Sequence, residues 1–195
     1  MIHDYLSLPA LLFNTACLFI LAMELWLEIR DRGVKNKTAD QQTAAFINGL
    51  MFSALLIGFL GTYFRLGIMA KEAGMLRFNL TLSLILVWAG ALLRFWAIFK
   101  LGRLFHPVVI INKGQPVIDS GPYKYIRHPS YLAVILVIMA LFLVWNTWFG
   151  LISLFLACLA YELRVRAEET ALKEVCGKSY EDYMKRTRKF LPFLY

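Results

Sequence analysis

The sequence predicts an all-α integral membrane protein with five transmembrane helices and two long polar segments on one side of the bilayer. Three observations lead there. Hydrophobic residues make up 59% of the 195 residues, against about 45–50% in an ordinary soluble domain, and the mean hydropathy is +0.60. A soluble domain of this size leaves roughly 30% of its unfolded surface wet, too much to hide that composition. The apolar residues also gather into runs of spanning length, and the basic residues collect on one side of those runs. A soluble globule, a disordered chain and a coiled coil are therefore excluded.

Crossing about 30 Å of hydrocarbon takes about 20 helical residues. The run 6–29 qualifies, with Pro9 in the first turn, where its missing N–H is harmless. Runs 46–64 and 78–99 follow. The stretch 130–163 is too long for one helix and short for two, and is interrupted at Trp145-Asn146-Thr147. At 1.5 Å per residue each half reaches only about 22–25 Å. This predicts a tight helical hairpin that barely crosses, or crosses a thinned bilayer.

Orientation follows the lysine and arginine count. With five spans, the segments after the first, third and fifth share a side and carry 17 of the 21 basic residues. Three lie opposite, and Arg94 falls within a span. The N-terminus is expected outside, with segments 100–129 and 164–195 cytoplasmic. The net charge of +8 thus reads as topology. A nucleic-acid partner is not expected, because the aromatic residues sit inside apolar runs rather than in a basic patch. No obligate protein partner is evident. Cys17, Cys158 and Cys176 form no CxxC pair, so neither a disulfide framework nor a metal site is expected. The first apolar run lacks the basic flank of a cleavable signal peptide.

Residues 105–129 differ in kind from the spans. His106-Pro107, Asn112-Lys113-Gly114, Pro116 and Ser120-Gly121-Pro122 mark turns, so this segment reads as an ordered loop. Residues 164–175 read as helix, stopped at Gly177, a natural C′ residue. Residues 179–188 form a short amphipathic helix with Tyr180, Tyr183 and Met184 on one face. It fits either an interfacial anchor or a lid over a cytoplasmic site.

A helical hairpin returns to its starting plane. Arg127, His128 and Tyr131, at its start, therefore lie near Arg164, Glu168 and Glu169, at its end. Arg164 and Glu168 stand i,i+4 apart on one helix face. Taken singly, Arg127-His128 could be a stop-transfer flank and Arg164–Glu168 an ordinary surface pair. Their convergence beside a structured loop that no spanning helix needs points to a site.

The run Gly121-Pro-Tyr-Lys-Tyr-Ile-Arg-His-Pro-Ser-Tyr131, the apolar hairpin, and then Arg164, Glu168-Glu169, Leu172, Gly177, Tyr180, Tyr183 and Leu191-Pro192 resemble the isoprenylcysteine carboxyl methyltransferase family over about residues 101–195. The match is to a compact member of prokaryotic type, because the extra N-terminal spans of longer members have no counterpart here. The resemblance implies a division into three transmembrane helices (1–99) and a catalytic region (100–195). It implies S-adenosyl-L-methionine as methyl donor, S-adenosyl-L-homocysteine as product, and a lipophilic carboxylate at the bilayer as acceptor. By the same resemblance Gln115, Pro116, Val117, Ile118, Tyr123, Arg127, His128, Pro129, Ser130, Tyr131 and Glu168 fall at cofactor-binding positions. Arg164 falls at the acceptor-binding position, and Arg164 and Glu168 are the expected catalytic pair. His106 fits either a loop cap or a cofactor contact.

The chemistry agrees with these residue types. A terminal carboxylate has a reference pKa near 3.3–3.7 and is ionised at neutral pH, so no general base is required. What is required is a fixed cation, and an arginine fork matches a carboxylate bidentately. An amine acceptor would instead need a base, for which His128 is the candidate. The competing expectations are a phospholipid or lipid-amine methyltransferase, an NADPH-dependent membrane reductase and a non-enzymatic scaffold. No GxGxxG follows a predicted strand, which excludes a soluble Rossmann enzyme. Glu24 and Arg94 lie at similar depth within their spans and are expected to pair.

Overall fold

The computed structural model describes residues 8–31, 41–69, 72–105 and 116–190. These fold into six α-helices: α1 (Leu8–Asp31), α2 (Gln41–Tyr63), α3 (Ala73–Leu101), α4 (Pro129–Trp145), α5 (Trp148–Cys176) and α6 (Lys178–Arg186). Among the described residues there are no strands, only two isolated bridges. Helices α1, α3 and α5 are long and apolar enough to cross a membrane, while α4 and the apolar part of α2 are shorter. Leucine, phenylalanine and isoleucine side chains cover the outer faces. That is the pattern expected where the solvent is lipid.

Packing is carried by small residues. Helix α3 lies along α4, α2 lies along α5, α4 pairs with α5, and α1 rests on α3. The buried positions include Ala91 and Ala97 on α3, Ala133 and Ala140 on α4, Ser153, Ala157 and Ala160 on α5, and Ala54 on α2, beside larger residues such as Leu27, Val87 and Val165. Lipid tails are as apolar as leucine, so helices in a bilayer gain by close backbone approach at such residues. Gly90 meets a neighbouring backbone: a Cβ there would stand 2.7 Å from the Ala133 carbonyl oxygen. On α2, Gly58 and Gly61 leave room for the rings of Trp145 and Phe149.

The expected break between α4 and α5 is present. Asn146 takes the left-handed conformation with φ 52°, which asparagine tolerates better than most residues, and the Thr147 side chain caps α5 by accepting from the Gly150 amide. The loop between α2 and α3 ties down this turn, with Met69 N–H to Asn146 O at 3.0 Å and Trp148 N–H to Gly67 O at 3.1 Å.

One expectation needs correction. The boundary drawn at residue 163 between the hairpin and the C-terminal helices is not a break in the helix. It continues through Arg164 as the 29-residue α5. Nothing between 163 and 176 breaks a helix, and Arg166 pairs with Glu162 one turn back. The helix stops at Gly177, as its sequence signals, with φ 54°. Helices α2 and α3 also begin five residues before their apolar runs.

Candidate functional site

Helix α4 starts with proline at N1, the favoured position for a residue lacking an N–H, and His128 is its N-cap. The segment before it makes a 3-10 turn over Gly121–Lys124. The chain then runs beside the C-terminal tail: Arg127 N–H donates to Arg188 O at 2.7 Å and His128 N–H to Lys189 O at 3.2 Å. Helix α6 lies across this turn. Tyr183 Oη donates to the Tyr123 carbonyl at 2.7 Å, and burial pushes the pKa of the Tyr183 hydroxyl up, so it remains a donor. The amphipathic helix thus packs against the turn that leads into α4.

The two ends of the hairpin meet as topology requires. Arg127 donates from Nε to Glu169 Oε1 at 2.7 Å and from Nη1 to Thr187 O at 2.7 Å. His128 Nε2 lies 3.0 Å from the same Glu169 oxygen. One turn of α4 further on, Tyr131 Oη donates to Glu168 Oε2 at 2.7 Å and accepts from Arg164 Nε at 3.0 Å. The His128 and Tyr131 rings stack at 5.7 Å, 9° apart, and Tyr161 packs on the other side of Tyr131 at 5.2 Å. Arg164 and Glu168, predicted to share one face, are therefore joined through a tyrosine hydroxyl from the neighbouring helix.

The two glutamates differ in exposure. The Glu169 side chain is 11% exposed and the Glu168 side chain 27%. Glu169 is taken up by Arg127 and His128, whereas Glu168 is the more exposed of the two carboxylates. Sequence reasoning brought Glu169 to this place without giving it a role. The signal was the small-residue stripe of α5, Ser153-Ala157-Ala160, which continues at helical spacing through Arg164 and Val165 to both glutamates.

Other predicted positions lie beside this centre rather than in it. Ser130 Oγ accepts from Arg94 Nη1 at 2.7 Å, and Arg94 also pairs with Glu24 of α1, the intramembrane ion pair expected from sequence. Tyr123 is buried, with its hydroxyl 3.5 Å from the Ala97 carbonyl of α3. Pro129 is buried at the start of α4. Pro116, Val117 and Ile118 lie in the irregular segment leading to the 3-10 turn. Gln115, His106 and Leu191-Pro192 lie outside the described residues. Among the described residues no cluster of histidine, cysteine and carboxylate side chains could hold a metal.

Tyr180 supplies a further feature that the sequence did not single out as polar. It is 3% exposed, yet its hydroxyl has no hydrogen-bond partner among the described residues. Burial first, then the charges of Glu169 and Glu168, raise its pKa. It is a protonated donor beside the two carboxylates, and a buried donor without an acceptor is costly unless a ligand supplies one.

The fold and this site define a helical membrane protein with arginines, carboxylates, a histidine and tyrosines gathered at one end of a helical hairpin. Residues 82–174 match the isoprenylcysteine carboxyl methyltransferase (ICMT) family model. The chain is 27% identical over 162 residues to the protein-S-isoprenylcysteine O-methyltransferase of Schizosaccharomyces pombe, covering 77% of this chain and 59% of the relative. It is 32% identical over 115 residues to the mouse enzyme of the same name, covering 57% and 41%. It is also 35% identical over 89 residues to the uncharacterized protein YpbQ of Bacillus subtilis, covering 45% and 52%. The chain thus spans about half the length of the curated relatives it matches.

Proposed function

We propose that the chain is an integral membrane carboxyl methyltransferase that uses S-adenosyl-L-methionine to methylate the α-carboxylate of a C-terminal prenylated cysteine or a similar lipid-tailed acceptor. The observation that carries this reading is the Arg164–Tyr131–Glu168 chain: a fixed cation and a reachable carboxylate held through one hydroxyl at the end of a long apolar helix. The names of the relatives point the same way.

The residues present fit the donor. Its amino acid portion carries an ammonium, which Glu168 can hold, and a carboxylate, which can accept from the orphaned Tyr180 hydroxyl. Its sulfonium supplies an electrophilic methyl group. Arg164 holds the acceptor carboxylate, which needs no deprotonation at neutral pH. A lipid-tailed acceptor would keep its tail in the bilayer and bring its head to this depth. Glu169, Arg127 and His128 fix the start of α4, and α6 excludes water from above. Removing water strengthens each of these electrostatic contacts. Positioning of this kind supplies several kcal/mol of a barrier. Since His128 Nε2 is engaged with Glu169, a general-base role, which an amine acceptor would require, is the weaker reading.

In this reading residues 100–195 form the catalytic region, α2 and α4 complete five spans with α1, α3 and α5, and the site faces the cytoplasm. The decisive experiment is thermal unfolding of the protein in detergent with S-adenosylhomocysteine or NADP, followed by methyl transfer to an S-prenylcysteine. Stabilisation by S-adenosylhomocysteine alone is expected, and stabilisation by NADP alone would replace this reading with a reductase. Arg164→Lys keeps the charge but loses the planar fork, so turnover should fall with near-normal S-adenosylhomocysteine affinity. Parallel loss of both would remove the acceptor role.

A further inference from the structure

We propose that Tyr131 is a positioning residue that couples the two halves of this site, so that filling the Glu168 side strengthens acceptor binding at Arg164. The proposal rests on the functional reading above. Its observation is the direction of two hydrogen bonds. Arg164 Nε can only donate, so at 3.0 Å the Tyr131 oxygen accepts. A guanidinium has no acceptor, and an ionised carboxylate no donor. The single hydroxyl proton must therefore point at Glu168 Oε2, 2.7 Å away.

The hydroxyl is held where it is. Its ring lies nearly parallel to His128, against Tyr161, with the Arg164 guanidinium carbon 5.8 Å from its centre. It cannot swing away without breaking that stack. Negative charge on Glu168 pulls on the hydroxyl proton and makes the oxygen a better acceptor for Arg164, the mutual polarisation of hydrogen bonds in series. A cation bound at Glu168 weakens that pull. The hold of Tyr131 on Arg164 then slackens, and the guanidinium can turn toward an incoming carboxylate. Arg164 and Glu168 sit one turn apart on α5, while the linking hydroxyl comes from α4, so the signal passes between helices without either moving.

Linkage makes this measurable, because a coupling between two sites changes both affinities by one factor. The test measures the dissociation constants of S-adenosylhomocysteine and an N-acetyl-S-prenylcysteine for the full chain in lipid nanodiscs, each with and without the other. The wild-type protein should show mutual tightening of about fivefold or more. Tyr131→Phe keeps the stacked ring and removes the hydroxyl, and the factor should drop to about one while both ligands still bind. Should that variant fail to fold, Arg164→Lys, which lacks the Nε donor, should abolish the factor too. A direct attraction between the ligands would leave the factor intact in Tyr131→Phe, and that result overturns the proposal. So does a wild-type factor of one, which leaves the methyltransferase reading standing. A wild-type protein that binds neither ligand overturns both.

Discussion

Glu169→Gln tests whether the start of α4 is held by charge. Glu169 is 8% exposed and His128 5%. Its Oε1 atom receives Arg127 Nε at 2.7 Å and lies 3.0 Å from His128 Nε2. Glutamine preserves the volume and one oxygen but leaves the buried Arg127 guanidinium without its counter-charge. A hydrogen bond to a charged group contributes about 1.5–3 kcal/mol, and breaking a buried pair costs about 3–5 kcal/mol. Arg127 retains the Thr187 carbonyl, so the lower range applies, and a loss of about 2 kcal/mol is expected. For a chain of this size that is a fall in unfolding midpoint of about 4–8 °C, read by thiol-reactive dye or intrinsic fluorescence in detergent. Asp182→Asn is the control, because it and its partner Lys185 are both exposed on α6, and it should not move the midpoint. An unchanged midpoint in Glu169→Gln, or an equal drop in both variants, would refute the clamp.

Three further outcomes are expected. Gly90→Ala should lower stability by about 1–3 kcal/mol, because the atom it meets is the Ala133 carbonyl oxygen of α4 and cannot step aside. Gly74→Ala, with open space around it, should be neutral or stabilising in the same midpoint assay. Arg94→Met should destabilise more than the double variant Glu24→Leu/Arg94→Met, because the single change leaves a carboxylate among helices without its partner. Equal midpoints would show that the pair contributes no charge compensation. In a background lacking Cys17, Cys158 and Cys176, cysteines at positions 3 and 190 should label from opposite sides of sealed vesicles. Labelling of both from one side would sink the five-span arrangement.

The helices were legible because lipid-facing runs advertise their length. Asn146-Thr147 and Gly177 marked the stops because those residues suit left-handed or capping conformations. The Glu24–Arg94 pair was legible from depth alone, since two charges in a bilayer have few other partners. The site was legible only as a neighbourhood. Hairpin geometry brings residues 127–131 to 164–169, but within one helical turn periodicity does not choose partners. Thus Ser130 accepts from Arg94 of α3. Glu168 and Arg164 meet at the Tyr131 hydroxyl, and Glu169 takes Arg127 and His128 together. The return of the tail along 126–128 was invisible for a similar reason. Ile126 and Arg188 form one isolated parallel bridge, too short to leave a pattern in sequence.

The start of α4 gains its rigidity from this division of partners. His128 and Tyr131 lie about one helical turn apart and both face α5, while Ser130 between them turns toward α3. His128 meets Glu169 of α5, Ser130 meets Arg94 of α3, and Tyr131 meets Glu168 and Arg164. Through Glu24, the Arg94 contact reaches α1 as well. At the opposite end of the hairpin, Asn146 and Trp148 are bonded to the α2–α3 loop. The pair α4–α5 is thus fixed at both ends, and its polar end is braced by three helices and the tail. Methyl transfer to a carboxylate asks little acid–base chemistry of a protein and a great deal of alignment, and alignment is what supporting contacts of this kind provide. Loosening any one brace should therefore act on acceptor alignment before it acts on the fold. Arg94 is the brace through which the start of α4 reaches both α3 and α1, so its loss tests whether the two effects separate.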